Sequence, residues 1–119
     1  MFELKVEGHF ASAHRLLNYQ GKCENPHGHN WKVEIYARGE NLDNSNILID
    51  FKILKKELNL VLEELDHIDL NEHEPFIGQS PSSEYISKYI YNELKKRIPQ
   101  LYKVSVWETE RARASYWEE

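Results

Sequence analysis

The sequence predicts an α+β domain built on a four-stranded antiparallel sheet with two helices on one face. Four stretches alternate apolar and polar residues with the period of a half-buried strand, and two stretches between them follow the helical period. The resulting order is strand, strand, helix, helix, strand, strand. A sheet whose helices lie on one face accommodates this order most simply. At 119 residues, the chain is expected to form one domain.

The first two strands are expected to pair as a long hairpin. Alternation extends over residues 2–10 and resumes over residues 31–38, and residues 39–46 are rich in turn formers. Residues 102–109 and 112–117 alternate in the same way and predict the third and fourth strands. The edges of such a sheet would be open, and oligomerisation is one way to cover them.

Both helices carry signals at their boundaries. Asp50 is a good N-cap for the first helix. The second is expected to start within residues 80–84, with a capping serine and Pro81 in its first turn, and to stop at Pro99. The residues predicted to pack on the sheet are Phe51, Leu54, Leu58, Val61, Leu62 and Leu65 in the first helix and Ile86, Tyr89, Ile90, Leu94 and Ile98 in the second.

The composition excludes several classes of protein. A formal net charge of −5 offers no basic stripe for nucleic acid. The single cysteine cannot form an intramolecular disulfide, which fits a reducing compartment. The sequence contains no long apolar run of the kind found in signal peptides and membrane spans. We therefore expect a cytoplasmic protein with no nucleic-acid or membrane partner.

A group of histidines predicts a metal site. On a strand beginning at residue 27, His27 and His29 project from the same face, because side chains alternate with a period of two. A hairpin excursion over residues 15–26 would bring His14 beside them. Three neutral imidazoles with an open fourth position are the ligand set of a catalytic Zn²⁺, and one cysteine is too few for a cysteine-rich structural site. The competing interpretation is a chance His-x-His, which Cys23 and His14 argue against.

Two further groups are candidates for proton transfer. Cys23 follows Lys22, and a neighbouring cation lowers the pKa of a thiol and raises its thiolate fraction. An unreactive buried cysteine is the alternative. Asp66 and His67 place a carboxylate beside an imidazole, although adjacent side chains point apart unless the backbone turns there. Taken alone, this pair is more typical of an ordinary helix end.

Six ordered motifs extend over nearly the whole chain, and together they resemble the 6-pyruvoyl-tetrahydropterin synthase family. Within it, the chain is most similar to bacterial and archaeal 6-carboxy-tetrahydropterin synthases. The resemblance implies a tunnelling fold, in which trimers close a barrel and two trimers form a hexamer. The motifs are Ala13-His14-Arg15-Leu16, Cys23-x-x-x-His27-Gly28-His29, Ile49-Asp50-Phe51, Leu65-Asp66-His67, Pro81-Ser82-Ser83-Glu84 and Val106-Trp107-Glu108-Thr109.

The resemblance also implies roles for individual residues. It assigns zinc to His14, His27 and His29, and catalytic proton transfer to Cys23, Asp66 and His67. It implies that Glu108 anchors the pterin ring, and a carboxylate suits this role because it accepts two parallel hydrogen bonds. Glu110 would share the face of Glu108 and is a weaker competitor. Ser83 is a further candidate for binding the substrate.

The substrate implied by the resemblance is 7,8-dihydroneopterin triphosphate. Loss of acetaldehyde and triphosphate would leave 6-carboxy-5,6,7,8-tetrahydropterin, a precursor of the deazapurine in queuosine. Bound Zn²⁺ would act as a Lewis acid on the hydroxylated side chain. Arg15, Lys22, Arg111 and Arg113 are candidates for contacts with the triphosphate.

The presence of Glu24 beside Cys23 leaves alternative reactions open. Some relatives that cleave dihydroneopterin towards 6-hydroxymethyl-dihydropterin use a glutamate in this loop instead of the cysteine, and here Glu24 directly follows Cys23. A 6-pyruvoyl product is less favoured, because those enzymes usually have a longer gap between the cysteine and His-Gly-His. A non-catalytic zinc- or pterin-binding protein would have no need of Cys23 or His67.

Overall fold

Four strands form one antiparallel sheet in the order β1-β2-β3-β4, and both α-helices connect β2 to β3. This computed structural model describes residues 1–21 and 24–119. It confirms the predicted fold class and the order of the elements. The elements are β1 (Phe2–His14), β2 (His27–Gly39), α1 (Phe51–Leu65), the short 3₁₀ turns Leu70–Glu72 and Glu74–Phe76, α2 (Ser83–Lys95), β3 (Leu101–Thr109) and β4 (Ala112–Tyr116).

The β1–β2 hairpin is longer than the alternation alone predicted. Its register runs without a break from Phe2 opposite Gly39 to His14 opposite His27. The alternation in the sequence is clear only as far as Phe10, because small or polar residues occupy the last part of β1. The two strands therefore end with a pair of histidines directly opposite each other.

The core lies between one face of the sheet and the two helices. Alternate residues of the central strands are buried there, as their period of two requires. Phe51 differs from its prediction, since it is 57% exposed at the first position of α1. The buried apolar residues of these elements are Val6, Phe10, Trp31, Val33, Ile35, Ala37, Leu101, Val104 and Val106 of the sheet, Leu54, Leu58, Leu62 and Leu65 of α1, and Ile86, Ile90, Tyr91 and Leu94 of α2.

The helix boundaries follow local capping chemistry. Asp50 caps α1 and accepts a hydrogen bond from Lys52 N at 2.8 Å, as predicted. Ser82 caps α2 and accepts from Tyr85 N at 3.1 Å. Pro81 therefore precedes the cap, and its predicted place in the first turn is wrong. The prediction that Pro99 stops the helix is also wrong, because α2 already ends at Lys95. Within the described ranges, no helix is long and apolar enough to cross a membrane.

Gly8 allows α1 to lie close to β1. It stands opposite Val33 in the register. A Cβ atom at this position would lie 2.7 Å from Leu62 Cδ1 and 3.4 Å from Leu58 Cδ2. The first distance is shorter than a van der Waals contact, so any larger side chain must displace Leu62, which is itself buried.

We expect Gly8→Val to destabilise the protein by about 1–3 kcal/mol, the usual cost of overpacking a core. Urea unfolding followed by circular dichroism measures this cost. Leu62→Ala removes the atom that clashes, so valine at position 8 should cost less in a Leu62→Ala background. Equal costs in the two backgrounds would contradict the close approach described above.

Candidate active site

Three histidines and a glutamate converge at one end of the sheet. His14 is the last residue of β1, His27 and His29 begin β2, and Glu108 lies near the end of β3. One ligand atom from each of the four lies within 4.8 Å of the others. The group could therefore hold a metal ion. We call these four residues the histidine–glutamate cluster.

The strand period places all four side chains on the helix-facing side of the sheet. His14 shares its face of β1 with the buried Phe10, and His29 shares its face of β2 with the buried Trp31. Glu108 lies two residues beyond the buried Val106 on β3. The cluster therefore continues the core face past the point where the apolar side chains end.

Backbone carbonyls orient two of the imidazoles. His14 Nδ1 lies 2.7 Å from Pro81 O, and His27 Nδ1 lies 3.2 Å from Asn25 O. A ring nitrogen that faces a carbonyl must donate, so in each neutral ring Nε2 carries the lone pair. This second interaction is the one that ordinarily fixes the tautomer and orientation of a metal-binding histidine.

His29 presents a buried nitrogen to the same point. Its Nε2 makes no hydrogen bond with any described residue, although it lies 3.2 Å from Glu108 Oε1. Burial is the main cause that lowers the pKa of His29, and the neighbouring His14 and His27 lower it further, while Glu108 opposes them. His29 is therefore held in the neutral form that binds metals.

The donor atoms of the cluster fit a metal ion. His14 Nε2 lies 3.0 Å from Glu108 Oε1. In the tautomer set by Pro81 both atoms are acceptors, so the contact is favourable only with a cation or an additional proton between them. Three imidazoles and a carboxylate are all ligands that Zn²⁺ accepts, and imidazole suits several other transition metals as well.

Trp31 forms the floor beneath the cluster. Its ring centroid lies 4.8 Å from that of His14 and 5.3 Å from that of His29, both in edge-on geometry. The ring is fully buried and stacks on Phe10, and its Nε1 donates to Ser12 O at 3.1 Å. These contacts leave the two imidazoles little freedom to rotate. In the sequence Trp31 only begins the alternating stretch over residues 31–38, and nothing in its spacing indicates the contact with His14.

A cavity of about 340 Å³ opens above the cluster. Ser83, a predicted substrate-binding residue, contributes to its wall from the start of α2. Sequence reasoning missed Glu84 as a cavity residue, although its place in the motif at residues 81–84 was a usable signal. A larger depression of about 530 Å³ shares Ser82 and Glu84 with this cavity but contains none of the histidines. The cavity is lined by His14, His27, His29, Glu108, Leu16, Tyr19, Glu24, Ser82, Ser83 and Glu84.

Asp66 and His67 form a close pair on the outer edge of β1. His67 adopts a left-handed backbone conformation with φ 57°, which is the backbone turn that pairing of the two side chains requires. Asp66 Oδ2 lies 2.8 Å from His67 Nδ1, and Asp66 Oδ1 accepts from Ala11 N at 2.8 Å. The Ala11 N–H is the main cause that lowers the pKa of Asp66, with His67 adding to the effect.

This pair does not line the cavity of its own chain, as far as the described residues show. The His67 side chain is 81% exposed. The segment is held to β1 by His67 N, which donates to Ala11 O, and by Ala13 N, which donates to Ile68 O at 3.1 Å. His67 is therefore held firmly at the sheet edge while its ring stays accessible from outside.

Several residues predicted for the site either lie away from the cavity or fall outside the residues that the structure describes. Lys22 and Cys23 fall outside the described residues. Arg15 is exposed and is held through its backbone, with Asn71 Oδ1 accepting from Arg15 N at 2.8 Å. Arg113 lies 5.6 Å from the Trp107 ring centroid and donates to Ser115 Oγ at 2.6 Å. Neither these two arginines nor Arg111 is among the described residues that line the cavity.

Glu24 lines the cavity but is already engaged in the loop. Its Oε1 accepts from Leu16 N at 3.0 Å, and its own N–H donates to Leu16 O at 3.0 Å. These two bonds join the two ends of the excursion between β1 and β2. The carboxylate therefore has a structural partner as well as access to the cavity.

An antiparallel sheet that presents histidines and a carboxylate in a cavity defines a candidate metal-binding enzyme, and comparison with known proteins identifies its family. A family model described as 6-pyruvoyl tetrahydropterin synthase matches residues 3–119. The chain belongs to this family of tetrahydropterin synthases.

Individual relatives agree with this assignment. The 6-carboxy-5,6,7,8-tetrahydropterin synthase of Synechocystis is 34% identical, with 98% of this chain and 94% of the relative covered. The human 6-pyruvoyl tetrahydrobiopterin synthase is also 34% identical, with 85% and 81% covered. The structure of the Caenorhabditis elegans 6-pyruvoyl tetrahydropterin synthase superposes with a TM-score of 0.87 at 30% identity, covering 99% of this chain and 96% of that chain.

We expect His27→Ala to lose the bound metal while the protein stays folded, because the apolar core does not include His27. Metal content by mass spectrometry and folding by circular dichroism measure the two effects. His9→Ala is the matched control, since His9 is an exposed histidine of β1 on the opposite face of the sheet. A full metal content in His27→Ala would contradict the assignment.

Proposed function

We propose that the protein converts 7,8-dihydroneopterin triphosphate to 6-carboxy-5,6,7,8-tetrahydropterin with loss of acetaldehyde and triphosphate, in a zinc-dependent lyase reaction on the route to deazapurines such as queuosine. The histidine–glutamate cluster at the base of a cavity is the observation that carries the proposal. The name of the Synechocystis relative, which is matched over almost its whole length, supports this product over others.

His14, His27 and His29 would hold the zinc through their Nε2 atoms, because Nδ1 of the first two faces a backbone carbonyl. When bound there, zinc supplies a Lewis acid that polarises oxygen atoms of the substrate. The burial of His14, which is 2% exposed, keeps water away from one side of this site.

Glu108 is proposed to orient the pterin ring, because it lines the cavity that the ring would enter, beside the three histidines. A carboxylate can accept two parallel N–H bonds from the amino group and ring nitrogen of a pterin. Ser83 adds a hydroxyl and a backbone N–H at the start of α2. These groups bind and orient, and they require no change in their own protonation.

Proton transfer is proposed for Cys23 and His67, with Asp66 as the partner of His67. The lowered pKa of Asp66 keeps its carboxylate ionised, so it holds the Nδ1–H of His67. His67 Nε2 is then free to accept or to donate a proton. Cys23 would remove a proton from the substrate as its thiolate.

The outward position of His67 supports assembly into an oligomer. Asp66 and His67 lie at the β1 edge and outside the cavity of their own chain. They can reach a pterin only if that edge meets the cavity of another copy. β1 and β4 form the two edges of the sheet, and edge-to-edge pairing around a ring would cover both. We therefore propose a homo-oligomer with active sites between subunits, as a hexamer made of two trimers.

This assembly predicts complementation between inactive variants. Cys23→Ala and His67→Ala homo-oligomers should each lose activity, and a dissociated and reassociated mixture should regain part of it. Recovery arises because some sites receive both native residues from different chains. Sedimentation measures the assembly, and pterin turnover measures the recovery. A stable monomer with full turnover would refute the proposal.

Cleavage to 6-hydroxymethyl-7,8-dihydropterin, as in folate synthesis, is the nearest alternative, and the position of Glu24 in the cavity wall favours it. The bonds between Glu24 and Leu16 argue that this carboxylate stabilises the loop. The 6-pyruvoyl product is a further alternative, consistent with the name of the human relative. A non-catalytic pterin- or zinc-binding protein on the same fold would not depend on Cys23 or His67.

Incubation with 7,8-dihydroneopterin triphosphate, with the product identified by mass, tests the reaction. We expect Cys23→Ala to reduce turnover by ~10²–10⁴-fold, as is typical for loss of a general base, while metal and pterin still bind. Glu24→Ala should cost much less.

Glu24→Gln is the sharper variant, because an amide oxygen can still accept from Leu16 N but is not basic. We expect it to keep near wild-type activity. If Glu24→Gln is inactive and Cys23→Ala still makes 6-hydroxymethyl-7,8-dihydropterin, Glu24 is the base and the folate-type reaction replaces our proposal. Unchanged turnover in both variants would contradict either choice of base.

A further inference from the structure

The segment that follows α1 goes on bonding to the chain past the point where β1 ends. In an edge strand, the N–H and C=O groups of alternate residues point away from the neighbouring strand. Towards the end of β1 these groups belong to Ala11 and Ala13, which bond to residues 66–68. The same alternation continues beyond the strand, at Arg15 and Leu17.

At these two positions, polar side chains take the place of backbone partners. Asn71 Oδ1 accepts from Arg15 N at 2.8 Å, and Asn71 Nδ2 donates to Arg15 O at 3.0 Å. Ser80 Oγ accepts from Leu17 N at 2.7 Å and donates to Leu17 O at 3.2 Å. Each side chain therefore satisfies both backbone groups of one residue, as a neighbouring strand would.

The residue between these two positions is bound from the other side. Leu16 N donates to Glu24 Oε1, and Leu16 O accepts from Glu24 N, both at 3.0 Å. The chain then bends at Asn18, whose φ of 57° lies in the left-handed region. Residues 15–17 are thus held from both sides where the excursion departs from the sheet. The bonds of Leu16 carry this hold to the returning end of the excursion.

We propose that Asn71 and Ser80 are positioning residues, which hold the excursion over residues 15–26 and so set the place of the base that it carries. This inference rests on the proposed function, in which the base is Cys23 or, in the folate-type alternative, Glu24. Neither Asn71 nor Ser80 is among the described residues that line the cavity, so both act through the excursion. A displacement of about 1 Å in a catalytic group can cost ~10²-fold in rate.

Asn71→Ala and Ser80→Ala each remove a pair of bonds to the start of the excursion. We expect kcat to fall by at least ~10-fold in each variant, because a displaced excursion moves the base away from the substrate. KM should change little, since Glu108, which is proposed to orient the pterin, lies on β3. Steady-state kinetics with dihydroneopterin triphosphate measures both constants.

Ser80→Thr is the rescuing variant, because threonine keeps a hydroxyl at the same position. Ser80 lines a depression of about 530 Å³, which has room for the added methyl group. This variant should therefore keep a kcat near that of the wild type. Ser45→Ala and Asn92→Ala are the matched controls, since the first side chain is exposed in the turn after β2 and the second is exposed on α2.

Amide hydrogen exchange of the substrate-free protein tests the hold by itself. The N–H of Arg15 should exchange faster in Asn71→Ala, and that of Leu17 faster in Ser80→Ala, by up to about 10-fold, as loss of one hydrogen bond allows. Circular dichroism verifies that the variants are folded. Exchange rates equal to those of the wild type would show that the two side chains do not hold the excursion.

Three kinetic results would also overturn the inference. The first is a wild-type kcat in both alanine variants. The second is a loss of kcat with an equally large rise in KM, which general damage to the fold would cause, and the third is a Ser80→Thr variant as slow as Ser80→Ala. Failure of the proposed reaction is distinguishable, since a different pterin product from the wild type would contradict that reaction. The kcat of each variant would then be measured for that product, and the exchange rates would stand unchanged.

Discussion

The unbroken antiparallel register of β1 and β2 is the constraint on which the candidate site depends. It places His14 directly opposite His27 at the end of the hairpin. Because side chains alternate between the two faces, a slip of one residue would turn the histidines of one strand away from those of the other. The same slip would expose Phe10 or Trp31, so burial of the apolar residues also holds the histidines in place. Stability and site geometry therefore share one cause.

The boundary between core and site consists of a few large side chains. Trp31 is fully buried, and its ring packs in T-shaped geometry against the rings of His14 and His29. The carbonyl of Pro81, just before α2 begins, accepts the Nδ1–H of His14. Packing against Trp31 and the hydrogen bond to the Pro81 carbonyl leave Nε2 as the free nitrogen of His14. These contacts orient the imidazole of His14 before any ligand binds.

The segment after α1 binds to β1, so the strand that ends at His14 also holds Asp66 and His67 along its outer edge. The backbone and carboxylate of Asp66 and His67 bond to Ala11 on the outer edge of β1, three residues before His14. The positive φ of His67 turns its ring back onto the Asp66 carboxylate. The ring is accessible from outside the chain, so the fold places an oriented imidazole at the free edge of β1.

Local patterns in the sequence determined much of this protein. The period of two in the strands, the period of 3.6 in the helices and the capping residue Asp50 depend on neighbours along the chain, so the element order could be derived from the sequence alone. His27 and His29 were also predictable, since their spacing places them on one face of a strand. The predicted helix ends at Pro81 and Pro99 were wrong, because several residues near each proline can cap or terminate a helix.

Only the tertiary structure decided which distant residues meet. Glu108 joins His14 across 94 positions of sequence, and Glu84 reaches the cavity because α2 packs against the end of the sheet. The sequence indicated Glu108 as a pterin ligand by resemblance, but the fold places it against the histidines as well. It also separates Asp66 and His67 from the cavity of their own chain, a separation that no spacing along the chain indicates. Such contacts depend on strand order and helix docking, which are set by burial of the whole core and not by any local pattern.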